Sequence, residues 1–254
     1  MRGMAAVASG RPIAVTFRAL CGVAAVLAGI CVVVVGQRPA DALPTCQPAF
    51  IGVPGSGQRG FSREMNVIAH DVQTRAGLTP VATTQNLDYP AIPWYSYVPL
   101  WRHLESSEQT GVTNLLAEIG RYRANGCGQR PIMLAGYSQG AEVVIRAVNQ
   151  LGAAARATLT IGLLGNPSFT PERRGDVDYN TAGQGIRPSM LQGRHRLPLD
   201  VLPKTIDICA KGDPICAFRP AVWTQQAAAL IDGRSAHYRY AGLGYAADVA
   251  KFIW

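Results

Sequence analysis

Residues 131–148 read PIMLAGYSQGAEVVIRAV, and this stretch decides the fold of the chain. Its first five residues form a nearly continuous apolar run, which is typical of a central strand buried on both faces. The strand passes directly into a helix through Gly-Tyr-Ser-Gln-Gly, so the sequence predicts a sharp turn at Ser138. The predicted buried face of that helix carries Ala141, Val144, Ile145 and Val148.

Apolar runs of strand length recur on both sides of this stretch. The further candidate strands are Ala49–Val53, a short strand near Val81, Leu159–Leu164 and Thr205–Ile208. Segments of helical period separate them, and this alternation is typical of a parallel sheet covered by helices on both faces. Residues 167–203 have little periodicity and much Gly, Pro and Arg, which predicts a long loop region.

Three other segments predict helices around this sheet. The first has one apolar face, made of Met65, Ile68, Ala69 and Val72. The second begins at a capping box formed by Ser106 and Gln109. Its apolar stripe is Val112, Leu115, Leu116, Ile119 and Tyr122. The third is a terminal amphipathic helix with Val249, Phe252 and Ile253.

Gly136 and Gly140 flank Ser138 in the pattern GxSxG. A strand-to-helix turn of this kind strains the backbone at the serine, and a side chain at either glycine position would collide with the neighbouring backbone. The turn also places the serine at a helix N-terminus, where the N–H of Gln139 can face a developing oxyanion. The motif therefore predicts that Ser138 is a nucleophile.

A nucleophilic serine needs a histidine base and an acid, which follow it in this type of fold in the order acid, then histidine. His237 lies just before the terminal helix and is the best-placed base. Asp213 follows the last predicted strand and is the best-placed acid, although Gly-Asp-Pro is also ordinary turn chemistry. Asp207 and Asp232 are the alternative acids. The other histidines are predicted to be surface or structural residues: His70, His103 and His195.

A second glycine-rich motif, GSGQRG at 55–60, follows the first predicted strand and matches the dinucleotide-binding pattern GxGxxG. Three observations weigh against a nicotinamide site. The chain is predicted to be exported, Pro54 stiffens the turn, and the nearest acidic residue, Asp88, lies too far along the chain. No cofactor is therefore expected.

The first 42 residues have the pattern of a secretory signal peptide. Arginines precede a charge-free apolar run of 16 residues, 20–35, and Ala40-Asp41-Ala42 supplies a cleavage site. The run is shorter than the roughly 20 residues that span a bilayer as a helix, and an uncleaved anchor is the alternative. Cleavage after Ala42 leaves one predicted domain, 43–254, in a secreted, extracellular protein.

The composition favours a globular domain, because 48% of the residues are apolar and 16% are charged. The formal charge of +8 falls to +5 when the four Arg and one Asp of the leader are removed. The cations do not cluster, and no nucleic-acid-binding module is present, so no nucleic-acid partner is expected. The remaining charge favours solubility and a weak attraction to anionic surfaces.

Cysteine usage agrees with export. Four cysteines lie outside the leader, and an even number in an exported chain indicates disulfides. They allow three pairings, among which the spacing does not choose. Neither C-x-x-C nor H-x-x-x-H is present, so no metal site is expected. The four residues are Cys46, Cys127, Cys209 and Cys216.

Four motifs together resemble the cutinase family of secreted serine esterases, most closely its actinobacterial members. They are GYSQGA at 136–141, the Cys-x3-Asp-x2-Cys loop at 209–216, Tyr-Pro-Ala at 89–91 and Ser-Ala-His at 235–237. The resemblance covers the chain from Cys46 to its end. It implies an α/β-hydrolase with a central five-stranded parallel sheet, helices on both faces and no lid domain.

The resemblance also implies a triad of Ser138, Asp213 and His237. It implies an oxyanion hole in which Ser56 and the N–H of Gln139 are the donors, so that the glycine-rich stretch becomes the oxyanion loop. The implied disulfides are Cys46–Cys127 and Cys209–Cys216. The chain departs from the family pattern in two loops, with Pro54 in place of Arg and with Gly-Asn-Pro at 165–167 in place of Gly-Asp-Pro.

The function implied by the resemblance is hydrolysis of carboxylic esters of short to medium acyl chains, or of lipids. An esterase for acetylated polysaccharides, a phospholipase and a catalytically silent lipid-binding or surface-binding module are the alternatives. The expected partners are an ester or lipid substrate and, peripherally, a membrane or the cell envelope, with the protein itself a monomer. Aromatic residues that either flank the acyl site or belong to the core are Tyr89, Trp94, Tyr95, Tyr97 and Trp101.

Overall fold

Residues 44–254 form one compact unit. The computed structural model describes residues 46–60, 62–76, 83–93, 100–171, 176–178, 184–187 and 195–254. The predicted leader therefore lies outside the described residues, as do Val81, Trp94, Tyr95 and Tyr97.

The central sheet is parallel throughout. Among the described residues it has six strands, in the spatial order β2-β1-β3-β4-β6-β5. The strands are β1 Ala49–Val53, β2 Thr83–Asn86, β3 Ile132–Tyr137, β4 Leu159–Leu164, β5 Asp176–Asp178 and β6 Thr205–Cys209.

The predicted fold class is confirmed, with one correction to the strand count. All five predicted strands are present, and β2 begins at Thr83, slightly beyond the predicted position near Val81. The sixth strand, β5, comes from the region 167–203 that was predicted to be a loop. It has only three residues and pairs at the sheet edge with β6, so it is too short for hydrophobic periodicity to reveal it.

Helices cover both faces of the sheet, as the alternation predicts. They are α1 Arg63–Ala76, α2 Leu100–Tyr122, α3 Gln139–Gln150, α4 Ala153–Arg156, α5 Trp223–Ile231 and α6 Tyr245–Ile253. On one face α2 packs against α3, and on the other α1 packs against α6. Strand β1 shows why both faces are apolar, because Ile51 and Val53 belong to the α2–α3 core whereas Phe50 belongs to the α1–α6 core.

Two details of the predicted helices are wrong. Helix α2 begins at Leu100, so Ser106 lies inside the helix and is not its cap. No Pro or Gly separates residue 100 from Ser106, so the helix continues through the apparent start signal. In α6, Val249 and Ile253 are buried as predicted, but Phe252 is 40% exposed.

Two disulfides brace the domain, in the pairing that the family resemblance implies. Cys46–Cys127 ties the segment before β1 to the π-helical turn Arg123–Cys127 that ends α2. Cys209–Cys216 closes the loop that follows β6. Chain-entropy reasoning assigns about 4.5 kcal/mol to the long bridge and about 2.5 kcal/mol to the short one. In the described part of the chain, no helix combines the length and apolar character of a membrane span.

Candidate active site

Ser138 occupies the turn between β3 and α3 with φ 53° and ψ −120°. Positive φ is costly for a residue with a side chain, so the surrounding packing must hold this conformation. A Cβ on Gly136 would lie 2.7 Å from the Cα of Ala141, and one on Gly140 would lie 2.1 Å from the carbonyl oxygen of Val53. The expected reason for both glycines is confirmed: any side chain there would overlap backbone.

His237 joins Ser138 to Asp213. Its Nε2 lies 2.9 Å from the Oγ of Ser138, and its Nδ1 lies 2.9 Å from the Oδ2 of Asp213. All three side chains are buried. Because β3 and β6 are parallel, the loops that follow them meet at one edge of the sheet, and the turn before α6 brings His237 to the same edge. This arrangement can pass a proton from the serine hydroxyl to the imidazole.

The imidazole is held from two sides. Tyr137 stacks on it with ring centroids 5.0 Å apart, and the Tyr137 hydroxyl donates a hydrogen bond to the His237 carbonyl oxygen. The backbone N–H of His237 donates to the Oγ of Ser235 at 3.1 Å, which caps the short 3-10 turn Ala236–Tyr238. The ring is therefore oriented by its backbone as well as by Asp213.

Asp213 is fully buried within the loop closed by Cys209–Cys216. Its Oδ1 accepts the backbone N–H of Ile215 at 2.8 Å. The two alternative acids lie elsewhere. Asp207 accepts a hydrogen bond from the side-chain amide of Asn166 at 2.7 Å, and Asp232 pairs with Arg234.

The glycine-rich stretch lies directly against Ser138. A Cβ on Gly55 would be 3.1 Å from the Cβ of Ser138, so Gly55 lies in contact with that residue. Ser56, which is half-buried, is the next residue along the chain. The Tyr89 hydroxyl donates to the carbonyl oxygen of Pro54 at 2.6 Å, which anchors the start of this loop. Gln139 is the first residue of α3, so its N–H has no acceptor within the helix.

Of the aromatic residues expected either to flank the acyl site or to belong to the core, Tyr89 is the one whose side chain the structure describes. This residue is 7% exposed and belongs to the α2–α3 core, and burial together with the nearby charge of Glu108 raises its pKa well above 10. Its hydroxyl therefore stays protonated and remains a donor to the carbonyl oxygen of Pro54.

The departure at Asn166 has a structural use. Its side-chain amide donates to Asp207, and its side-chain oxygen accepts the backbone N–H of Ser168 at 2.8 Å. The loop after β4 is therefore fixed to β6 by an uncharged side chain. These two hydrogen bonds keep Gly165, the residue before Asn166, beside His237.

Sequence reasoning gave no role beside the histidine or the acid to Gly165, Tyr137 and Tyr240. A Cβ on Gly165 would lie 2.9 Å from the Cε1 of His237 and 3.0 Å from the Oδ2 of Asp213. Tyr240 donates a hydrogen bond to the Oδ2 of Asp213 at 2.6 Å. Position after a buried strand is a signal that could have pointed to Gly165, whereas no local pattern marks Tyr240.

A second set of titratable side chains lies on the α2–α3 face, and we call it the buried charge cluster. It joins α2 and α3 to the region 167–203. Its members are Glu105, Glu108, Glu142, Arg146, Arg187 and His195. Glu142 lies in the first turn of α3, where its backbone N–H donates to the carbonyl oxygen of Ser138.

Within this cluster the central contacts are ionic. Arg187 pairs closely with Glu108, and its Nε lies 3.4 Å from Glu142. His195 contacts the other oxygen of Glu142, and Arg146 lies 3.0 Å from Glu108. Through Arg187 and His195, the cluster therefore ties the region 167–203 to α3, the helix that follows Ser138.

Burial governs the titration of the cluster. It raises the pKa of Glu108 to about 7, with Arg187 opposing the shift and Glu142 adding to it. Burial lowers the pKa of Arg187, but Glu142 and Glu108 raise it more, so the net shift is upward. The guanidinium is therefore a permanent cation between two carboxyl groups.

Comparison with known proteins identifies the fold. A cutinase-like protein from a Cryptococcus species matches with a TM-score of 0.55 at 21% identity, covering 77% of this chain and 93% of that chain. A Trichoderma reesei cutinase, solved with a C11Y4 phosphonate inhibitor, gives a TM-score of 0.48 at 20% identity, covering 81% of this chain and 74% of that chain. No curated protein matches the sequence.

At 21% identity, the match to the Cryptococcus protein shows a common fold and no more. The sequence profile of the cutinase family matches residues 49–253, which include all six strands and the three residues of the Ser138–His237–Asp213 relay. The chain belongs to the cutinase family.

Proposed function

We propose that this protein is a secreted serine esterase that hydrolyses carboxylic esters of short to medium acyl chains. The observation that carries the proposal is the hydrogen-bonded relay from Ser138 through His237 to Asp213, with 2.9 Å at each step and with the serine on a strained turn. Family membership adds that the reaction is carboxylic ester hydrolysis.

In the first half of the reaction, His237 Nε2 takes the proton of the Ser138 hydroxyl as the serine oxygen bonds to the ester carbonyl carbon. Asp213 holds Nδ1 and stabilises the imidazolium that forms. The carbonyl oxygen becomes an anion, for which the N–H of Gln139 and the hydroxyl of Ser56 are the proposed donors. The intermediate then expels the alcohol, which takes its proton from His237, and leaves an acyl-enzyme.

In the second half, water replaces the alcohol. His237 takes a proton from the water as its oxygen attacks the acyl carbon, and the proton then returns to the oxygen of Ser138 when the acid leaves. The free enzyme is restored without any change in oxidation state.

A fluorophosphonate probe tests the proposal directly. The wild-type protein is expected to be labelled and to hydrolyse p-nitrophenyl esters, with a series from acetate to palmitate giving the acyl preference. Ser138→Ala is expected to lose labelling and turnover together while keeping its circular dichroism. A folded wild-type protein that is not labelled would overturn the esterase and favour a binding module on the same fold.

Export is tested separately. The protein recovered outside cells that express the full chain is expected to begin at Leu43, as determined by N-terminal sequencing. Recovery of the intact leader in the membrane fraction would instead support an anchored protein.

A further inference from the structure

The side chain of Tyr240 contacts the acid of the proposed triad. Its ring is completely buried, and its hydroxyl lies 2.6 Å from the Oδ2 of Asp213. This is the same oxygen that pairs with His237 Nδ1 at 2.9 Å. Oδ2 therefore accepts two hydrogen bonds, one from the base and one from the phenol.

The direction of the phenol hydrogen bond follows from its other neighbours. The backbone N–H of Ala210 donates to the Tyr240 oxygen at 3.0 Å, so that oxygen already acts as an acceptor. The Sγ of Cys216 lies 3.4 Å away but carries no proton, because it is in a disulfide. The single phenol proton therefore belongs to the short contact with the carboxylate.

The phenol keeps this proton over the pH range in which esterases are assayed. Burial raises the pKa of Tyr240 well above 10, and the negative charge of Asp213 raises it further. Tyr240 is thus a permanent neutral donor, and it is clamped by edge contacts with the rings of Tyr137 and Tyr245 at 5.9 Å each.

We propose that Tyr240 is a positioning residue that sets the basicity and the direction of the Asp213 carboxylate. The inference rests on the proposed triad chemistry. By sharing Oδ2 with His237, the phenol draws negative charge away from the oxygen that faces the imidazole. The acid then orients the histidine without holding its proton so strongly that the base is already protonated before reaction.

The test compares Tyr240→Phe with Tyr122→Phe. Tyr122 also donates its hydroxyl to a backbone acceptor, the partly buried carbonyl oxygen of Gln47, but at the C-terminal end of α2 beside the Cys46–Cys127 bridge. Each variant loses one phenol hydrogen bond. Tyr240→Phe is expected to lower kcat about ten-fold with KM unchanged, as for loss of a hydrogen bond to a charged group. Tyr122→Phe is expected to leave kcat within two-fold.

The pH profile separates positioning from a purely structural role. Without the phenol, Asp213 is the stronger partner of the imidazolium, so the acid limb of kcat/KM should move to higher pH in Tyr240→Phe. Replacing Tyr240 by 3-fluorotyrosine keeps the ring and strengthens the donor, so the limb should move to lower pH. This second variant also decides the question where Tyr240→Phe does not fold.

A wild-type profile in Tyr240→Phe, or in the fluorotyrosine protein, would overturn the inference, as would an equal loss of kcat in Tyr122→Phe. The proposed function is judged separately by the labelling of the wild type and Ser138→Ala. An active wild type with an unchanged Tyr240→Phe rejects the role of Tyr240 alone.

Discussion

Two histidine–carboxylate pairs of the described residues can be compared, and in one of them the histidine also contacts Ser138. His237 pairs with Asp213, and His195 pairs with Glu142. Both carboxylates are fully buried. The histidines differ, since the side chain of His237 is 6% exposed whereas that of His195 is 35% exposed.

The partners of the two carboxylates explain why only one pair is suited to the proposed proton transfer. Among the described residues, the donors to the Asp213 carboxylate besides its histidine are uncharged, namely Ile215 N–H and Tyr240. Glu142 is shared between His195, Arg187 and the hydroxyl of Ser168 at 2.7 Å. A carboxylate that is already paired with an arginine has less charge to offer an imidazolium.

A histidine beside a buried carboxylate is therefore not sufficient for a catalytic site. The further requirement is a group that can give its proton to the second ring nitrogen, and His237 has the hydroxyl of Ser138 there at 2.9 Å. The proposed role of the relay is proton transfer, and that of the buried charge cluster is to hold the region 167–203. Variants in each pair should separate these two roles.

The largest expected effect is on turnover. His237→Gln should lower kcat roughly 10⁴- to 10⁶-fold, because the serine loses its base. His195→Gln should leave kcat within about three-fold. The measurement is p-nitrophenyl ester hydrolysis, with circular dichroism to verify folding. A large loss of kcat in folded His195→Gln would place the second pair in the reaction and remove the distinction.

The next effect is on stability. Arg187→Met leaves Glu108 and Glu142 without their shared cation, and breaking a buried ion pair in this way costs about 3–5 kcal/mol. Arg234 is the control, because it pairs with Asp232 while both side chains are exposed, and such a surface pair is worth about 1 kcal/mol or less. Urea unfolding measures both variants.

The kcat of the folded Arg187→Met protein should stay within a few-fold of the wild type, since the relay does not include this residue. A loss of stability no greater than that of Arg234→Met would mean that the cluster contributes little to the fold.

The pH dependence of stability should come partly from Glu108, whose pKa rises from 4.5 to about 7 on folding. The folded state then binds this proton more tightly than the unfolded state does. The contribution is fully present below about pH 4.5 and is lost as the pH rises through about 7. The shift corresponds to about 3 kcal/mol.

Glu108→Gln is the matched variant, because the amide resembles the protonated acid. Its stability relative to the wild type should rise between pH 5 and pH 7.5, as measured by urea unfolding at both values. A constant difference between the two proteins would show that Glu108 does not titrate in this range.

The smallest effect concerns the loop that presents Asp213. Reducing Cys209–Cys216 frees this loop at a cost of about 2.5 kcal/mol, which is less than the long bridge contributes. Activity should therefore decline at lower reductant concentration than the circular dichroism of the sheet. Parallel loss of the two signals would mean that the loop is held by its other contacts.

Much of the fold and of the candidate site could be predicted from local patterns. The run 131–148 predicts β3, the turn and α3, because strand period, helical period and glycine spacing agree there. Asp213 and His237 follow from chain order once Ser138 is chosen, and the structure brings both to the serine. Their catalytic roles stay predictions.

The rest depends on which distant segments meet. Tyr240 is three residues from His237, yet its role requires the loop after β6 to fold back onto it. In the sequence, Glu108 and Arg187 resemble ordinary surface residues. They lie 79 positions apart, and no periodic pattern indicates that they meet. Sequence period reports which face is apolar, but it does not report which polar groups share a buried space.

The packing of α1 against α6 has a consequence for synthesis. Both helices cover the same face of the sheet, and α6 follows all six described strands along the chain. As the polypeptide grows from its N-terminus, the apolar side chains of α1 and Phe50 of β1 stay uncovered on this face until α6 has been made. His237 also follows the last described strand, so this face of the core and the proposed relay can be completed only after the whole sheet has been synthesised.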